Sequence, residues 1–336
     1  MNKILCYCEF NNLTGFGHYN RIRVILDILK LKNVDILTEN YNSASKIFYD
    51  HNIIKCTNIF DYIKKNYLKY KMLIIDPPYY PNQAFQQEKF SKKFKTIYNL
   101  VNKKFKVIWL TDEEKPSPKF CDLLLNDYPV SHKFRDFYKK NNNNIKLILG
   151  IYAFLYDKEI LKLKNKKKNK HILIAFGGDD PKNLILKYFN VFKNLKGKKF
   201  FLVNLKTYEI LKKYKGKKDL IIEKKKPMFK YVSILANCSY YIATPSNIMF
   251  EALSLNKKGN VIPIQKRQNS MGLAFKKLRL VNLLPNYKKL NVLKLKRKLV
   301  DFNIKQNNKN FEFKKKSALR TQTILKKFYI EEVLKN

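Results

Sequence analysis

Two glycine-centred loops, about 160 residues apart, each stand where a hydrophobic strand pattern runs into a helical one. The first, Gly15-Phe16-Gly17-His18, follows Lys3-Ile4-Leu5-Cys6-Tyr7-Cys8 and opens the run Tyr19–Leu29. The second, Phe176-Gly177-Gly178-Asp179-Asp180-Pro181, follows Ile172-Leu173-Ile174-Ala175 and opens Leu184-Ile185-Leu186. The chain has nine glycines, and four of them fall in these two loops. A residue without Cβ there lets backbone N–H groups approach an anion at a helix N-terminus. Two such units imply two α/β domains facing each other, with a nucleotide-bearing ligand between them.

The remaining pattern agrees with that reading. Strand-like runs in the first half are Ile4–Cys8, Val34–Leu37, Met72–Ile75, Val107–Leu110, Leu123–Leu125 and Ile145–Leu149. Helical patterns fall between them, most clearly Tyr19–Leu29 and Glu88–Val101. Near-continuous apolar runs separated by helices read as buried parallel strands. A lysine-rich stretch, Leu161–Lys170, is the linker candidate. Alternation restarts at His171–Phe176 and continues through Phe200–Val203, Leu220–Ile222, Tyr240–Ala243 and Val261–Ile264. Phe311–Leu334 is one long helical pattern. The expected organisation is an N-terminal Rossmann-like domain over 1–160, a linker over 161–170, and a C-terminal Rossmann-like domain over 171–310. A helix over 311–336 is expected to pack back toward the N-terminal domain.

At 336 residues and 45% apolar content the chain can build two cores. No apolar run reaches the ~18 residues of a membrane span, and the N-terminus enters a strand without a signal-peptide pattern. A cytoplasmic location follows as the default. The five cysteines include no CxxC pair and no zinc-ligand spacing, so they read as buried thiols. The formal charge of +44 invites a nucleic-acid reading, but only seven of the 70 basic residues are Arg, and the lysines are spread along the whole chain. Base readers favour the bidentate arginine fork. No specific nucleic-acid partner is therefore expected, while weak contact with anionic membrane lipid remains a real attraction for so basic a surface.

His18, one of four histidines, sits directly after a Gly-x-Gly turn. A neutral imidazole suits general-base work near neutral pH, and capping or packing is the alternative role. In the second loop Asp180 can cap a helix and Pro181 fits its first position. Asp179-Asp180 reads as a cap rather than a metal site. A third strand-to-helix junction is Tyr241-Ile242-Ala243-Thr244-Pro245-Ser246-Asn247-Ile248. Ser246 is a good N-cap there, with the next N–H groups positioned for a diphosphate. Glu251, one turn in, could accept ribose hydroxyls or simply complement the helix dipole. Gln268-Asn269 follows a strand and is either a site segment or a surface loop. No cofactor and no metal are expected.

Taken in order, these segments resemble the family of nucleotide-sugar hydrolases that release UDP from UDP-2,4-diacetamido-2,4,6-trideoxy-β-L-altrose in pseudaminic acid biosynthesis. That family is related to the N-acetylglucosaminyltransferase of peptidoglycan synthesis. The blocks are Gly15–Arg21, Ile74-Ile75-Asp76 with Tyr79, Val107–Asp112, Cys121–Asn126, Leu149–Leu155 and Ile174–Asn183. The resemblance covers roughly residues 3–280. It implies a GT-B-like fold whose two Rossmann-like domains face each other across a cleft, with UDP on the C-terminal domain and no metal required.

Carried over, the resemblance makes His18 the base that activates water at the anomeric carbon. Gly15, Gly17, Arg21, Asp76 and Tyr79 would bind the substrate, whose sugar faces the N-terminal domain. Gly177, Gly178, Ser246 and Asn247 would hold the diphosphate, Glu251 the ribose, and Met228 the uracil, with Gln268 and Asn269 also at the substrate. Two departures stand out. Thr244-Pro245-Ser246 replaces a glycine-rich stretch, and Pro245 removes a backbone donor. Asn256-Lys257-Lys258-Gly259 replaces a glycine–proline turn. A glycosyltransferase on the same scaffold, and a non-catalytic nucleotide-sugar-binding protein, are the competing readings. Fold alone does not separate them.

Overall fold

The apolar runs become strands because each buries both faces under helices. In the computed structural model, residues 3–9, 17–77, 84–101, 104–163, 171–177, 180–217, 219–224, 232–300 and 312–335 are described. They form two compact units, one of residues 1–155 with 316–336, the other of residues 156–315. Of the expected linker, residues 164–170 lie outside the described residues.

The first unit holds β1 (Lys3–Cys8), β2 (Asp35–Thr38), β3 (Asn52–Lys55), β4 (Tyr70–Asp76), β5 (Lys106–Thr111), β6 (Leu123–Asn126) and β7 (Lys146–Leu149). They make one sheet in the order β3-β2-β1-β4-β5-β6-β7, with every pairing parallel. One face packs on the helix Gly17–Leu29, and the other on the helix Ala84–Val101 through Phe94, Ile97 and Val101. From Lys316 onward, the helix Glu312–Tyr329 and the π-turn Ile330–Leu334 belong to this unit. Leu325, Phe328 and Val333 sit in the same core as β1 and the helix Gly17–Leu29. Glu332 fixes that end by pairing with Lys106 at 3.2 Å and Lys146 at 2.8 Å.

The second unit holds β8 (Ile172–Ala175), β9 (Lys199–Val203), β10 (Leu220–Lys224), β11 (Tyr240–Ala243), β12 (Lys258–Val261) and β13 (Asn282–Leu283). Their order is β10-β9-β8-β11-β12-β13, again all parallel. In each sheet the strand order reverses beside the first strand, between β1 and β4 and between β8 and β11. Open α/β sheets take their ligands at the carboxyl ends of the strands flanking such a reversal.

The structure corrects the sequence reading in three places. β3 and β13 give too short an apolar signal to be read as strands, since each is an edge strand of only partial burial. The penultimate strand of the second sheet is Lys258–Val261 rather than Val261–Ile264. Pro263 has no N–H to continue the ladder. Gly259 lies inside that strand, not in a turn, and the Tyr241 ring covers it so closely that a Cβ would strike the ring. The turn conformation falls instead on Asn256, with φ 56° just past the helix Asn247–Ser254. No described helix is long and apolar enough to cross a membrane.

Gly259→Ala should therefore destabilise the protein by about 1–3 kcal/mol, the scale of overpacking a filled core. Urea denaturation measures this, and a Gly259→Ala protein as stable as the parent would show that Tyr241 does not define the position.

Candidate functional site

In the first unit the residues at the sheet's reversal are joined by ionic hydrogen bonds. Gly17 and His18 lie in the first turn of the helix Gly17–Leu29, the next described element after β1. Arg21 follows His18 by three residues, so both side chains leave one face of the helix. That face meets the end of β4. Asp76, the last residue of β4, is level with Cys8 in the ladder. His18 Nδ1 lies 2.7 Å from Asp76 Oδ1. Arg21 donates from Nε to Asp76 Oδ2 at 2.8 Å and from Nη2 to Oδ1 at 2.7 Å. Arg21 Nη2 and His18 Nδ1 stand 3.1 Å apart, as two donors sharing one acceptor oxygen would. All three side chains are buried, and Asp76 is 0% exposed.

The other side of the guanidinium meets two more carboxylates. Arg21 Nη1 is 3.5 Å from Asp112 Oδ2 and 3.7 Å from Asp127 Oδ2. Asp112 follows the end of β5 and Asp127 the end of β6, so three neighbouring parallel strands each deliver an aspartate to one arginine. Asp112 and Asp127 have no role in the sequence reading. The available signal was an aspartate at, or one residue beyond, the ends of three successive apolar strands. The segment after β5 is held by a buried pair in which Lys119 donates to Glu113 at 2.7 Å while lying over the Trp109 ring.

These surroundings push the acids in opposite directions. Burial alone would raise Asp76, but the Arg21 guanidinium and His18 outweigh it and hold the carboxyl below 3.8. For Asp127 burial wins over the Arg21 attraction, and the nearby Asp76 charge adds to it, lifting the group to about 6. Its Oδ1 is buried without a hydrogen-bond partner. Glu9, one residue beyond β1, is raised to about 8 by burial although it accepts the Glu39 N–H at 2.9 Å. Arg21 and Asp76 were both expected to touch substrate. The structure turns them on each other and on His18, so that both oxygens of Asp76 are occupied.

In the second unit the reversal is lined by the segments after β8 and β11. Gly177 donates its N–H to Thr244 Oγ1 at 3.1 Å. A Cβ on Gly177 would come to 3.0 Å from that oxygen and 3.2 Å from Ser246 Oγ. The neighbouring loop therefore leaves only tight room for a side chain at Gly177, and its N–H already bonds Thr244. Asp180 does cap the following helix, but not as the residue adjoining it. The helix starts at Leu184, with Asn183 at its N-cap and Pro181 in the turn before it. The Asp180 carboxylate reaches forward to accept Leu184 N–H at 2.9 Å and Ile185 N–H at 3.0 Å. A built-in anion thus fills the N-terminus proposed for phosphate.

The helix Asn247–Ser254 differs. Ser246 is at its N-cap, but the hydroxyl turns back to the Thr244 carbonyl at 3.2 Å, and no side chain caps the helix. Asn247 opens that helix, and Glu251 is half-buried one turn along. Gln268 and Asn269 lie in the first turn of the helix Lys266–Lys277 rather than in a loop. Gln268 Oε1 accepts the Ile264 N–H at 2.9 Å, which ties that helix to the segment after β12. Gly15, Tyr79, Gly178 and Met228 lie outside the described residues. Among the described residues no group of three or more His, Cys, Asp or Glu is arranged to hold a metal ion.

Two all-parallel sheets, each with its candidate residues at the strand-order reversal, define a two-domain α/β protein of the GT-B fold. Solved structures agree at the level of fold. Arabidopsis thaliana UGT89C1, solved in complex with UDP, superposes with a TM-score of 0.65 at 11% identity, over 97% of this chain and 99% of that one. Acinetobacter baumannii MurG gives 0.61 at 10% identity, over 99% and 100%. The spinosyn rhamnosyltransferase SpnG gives 0.61 at 10% identity, also over 99% and 100%. In sequence, the uncharacterized protein MJ1062 of Methanocaldococcus jannaschii is 27% identical over 264 residues, which is 72% of this chain. The chain spans about half the length of that curated relative, 51%. No family model matches the chain.

The two aspartates should titrate stability in opposite senses. Asp76 is held below 3.8, so its contribution is present above that pH and lost as pH falls. Asp76→Asn should cost about 3 kcal/mol at pH 7, because it leaves Arg21 buried without its main partner. Asp127 is raised from 3.8 to about 6, so the folded state gives up stability as pH rises through 6. Asp127→Asn should therefore gain about 2 kcal/mol at pH 7, and little of that should remain at pH 4. Urea titrations of both variants at pH 7 and pH 4 check the signs; two losses at pH 7 would contradict the assignment.

Proposed function

We propose that this protein is a glycosyltransferase that uses a UDP-sugar donor, with His18 as the base. The observation that carries the reading is the 2.7 Å bond between His18 Nδ1 and Asp76 Oδ1. A carboxylate on Nδ1 fixes the tautomer that carries its proton there, leaving the Nε2 lone pair for the reaction. An acceptor hydroxyl gives its proton to Nε2 as its oxygen bonds to the anomeric carbon. The bond from that carbon to the diphosphate breaks, and the electron pair leaves with UDP. The resulting imidazolium is stabilised by Asp76, which stays ionised throughout.

The second unit is the natural holder of the diphosphate. The helix Asn247–Ser254 starts beside the strand-order reversal without a capping hydrogen bond from Ser246, at an end where the helix dipole favours negative charge. The helix at Leu184 is the weaker candidate because Asp180 occupies it. A UDP complex of the GT-B fold, and a rhamnosyltransferase on the same fold, support the class of ligand and reaction. Glu251, one turn along that helix, would take the ribose hydroxyls.

A second reading replaces the acceptor hydroxyl by water, making the protein a UDP-sugar hydrolase. The ordered blocks from Gly15–Arg21 to Ile174–Asn183, which resemble the pseudaminic acid pathway hydrolases, favour it. The chemistry of His18 is the same in both. Incubation with UDP-diacetamido sugars, with and without lipid acceptors, separates them: release of UDP only with acceptor marks the transferase, and free sugar plus UDP without acceptor marks the hydrolase.

His18→Gln should keep UDP affinity while lowering kcat by ~10²-fold or more, the scale for losing a general base. Calorimetry in excess EDTA should show undiminished UDP binding. A His18→Gln enzyme with nearly full turnover would leave the imidazole as a packing group.

A further inference from the structure

Lysine is plentiful along the whole chain, but on one face of the second unit it has no acid to answer it. Between Glu251 and Asp301 the sequence holds ten lysines, three arginines and neither Asp nor Glu. The helix Val292–Val300 carries four of those cations, Lys294, Lys296, Arg297 and Lys298, all exposed. Lys288 and Lys289, also exposed, come just before it. We propose that this helix docks the protein on an anionic phospholipid bilayer.

The helix is divided lengthwise. At about 100° per residue Leu295 and Leu299 share one side, and both are buried in the core of the second unit. The opposite side is centred on Leu293 and Arg297, with Lys294 and Lys296 flanking them. Leu293 is 59% exposed, and Val292, at the helix start, is 49% exposed. An aliphatic side chain ringed by cations is the pattern of a helix that lies in the plane of a bilayer interface. The lysine stems can run alongside the leucine while their ammonium groups stay among the headgroups.

The surrounding elements do not cancel this charge. The helix shares its core with Leu184, Ile185 and Tyr188 of the helix Leu184–Lys193, and the Tyr188 hydroxyl donates to the Leu290 carbonyl at 2.7 Å. That neighbour has Lys187 and Lys193 and no acid, and Lys182 before it lies 5.8 Å from the Tyr287 ring. The helix Leu205–Leu211, which joins the same core through Leu211, has one acid, Glu209. Glu209 already pairs with Lys212 at 2.6 Å and Lys224 at 3.7 Å. The adjoining stretches 178–179 and 301–315 hold three acids and four lysines, so their own net charge is positive. Two exposed aliphatic side chains are too few for the apolar core of a protein interface, and a nucleic-acid backbone has no use for them. An anionic bilayer takes both parts. Its headgroups meet the cations, each worth about a five-fold gain in partition, and its acyl boundary takes Leu293.

Cosedimentation of the full-length protein with lipid vesicles tests this. One set is phosphatidylcholine alone, and the other contains about a third phosphatidylglycerol, at near-physiological salt. The protein should bind the anionic vesicles and not the neutral ones. Changing Lys294, Lys296 and Arg297 together to Glu should weaken the partition by at least ~100-fold, from three contacts of about five-fold each. The same charge change at three exposed lysines of the first unit, Lys32→Glu, Lys46→Glu and Lys140→Glu, should leave binding close to that of the parent. Leu293→Ser should lose about ten-fold, and its loss should persist as added salt screens the cations. Every substituted position is exposed, and circular dichroism checks that each variant is folded. Equal losses in the two triple variants would reduce the effect to diffuse charge and overturn the proposal, as would failure to bind anionic vesicles. A DNA duplex bound more tightly than the vesicles, and released by the same reversal on the helix, would assign the face to nucleic acid instead. Vesicle binding needs no turnover, so its success or failure is separate from the role of His18.

Discussion

Both candidate sites depend on how two pairs of parallel strands are joined, β1 with β4 and β8 with β11. Parallel pairing requires a crossover between consecutive strands, and a sheet that grows first in one direction and then in the other opens a gap between the two crossovers at its carboxyl edge. In the first unit that edge holds Cys8 level with Asp76, so His18 and Arg21, entering on the next helix, meet the carboxylate directly. In the second it holds Ala175 level with Ala243, so Gly177 meets Thr244. Register makes these contacts; a shift of one residue in either pairing would break them.

The two edges then use charge differently. The first buries a guanidinium among three carboxylates and an imidazole, an arrangement affordable only because each ion has a partner of opposite sign. The second contains no ion pair at its reversal among the described residues. It presents hydroxyls, backbone and two helix starts, of which one already carries the Asp180 carboxylate. One edge concentrates buried charge, and the other presents mostly backbone and hydroxyls.

The architecture was legible in the sequence because buried parallel strands are apolar on both faces and need no partner information to be noticed. Edge strands such as Asn52–Lys55 were not, since their burial is partial and their signal is two residues long. His18 stood out as a candidate from its place after Gly15-Phe16-Gly17. The role of Arg21 could not be read, because a side chain three residues along a helix points equally well to a ligand or to the end of a strand 55 residues away. Asp180 is the same lesson at short range: the residue type announced a cap, while a positive φ of 50° decided that the cap would act across a turn. Propensity names the element; tertiary geometry assigns the partner.

The return of the C-terminal segment to the first unit makes that unit discontinuous in sequence. Its core is completed by Leu325, Phe328 and Val333, more than 150 residues beyond the rest of it, while the second unit is a single uninterrupted stretch. Contacts of such separation are slow to form because a long loop must close before they are rewarded. As the chain is synthesised, residues 156–315 have everything they need before the first unit does. The core of the sheet that carries His18 stays incomplete until the residues from Lys316 onward have been made. The order of assembly is then the reverse of the order of synthesis.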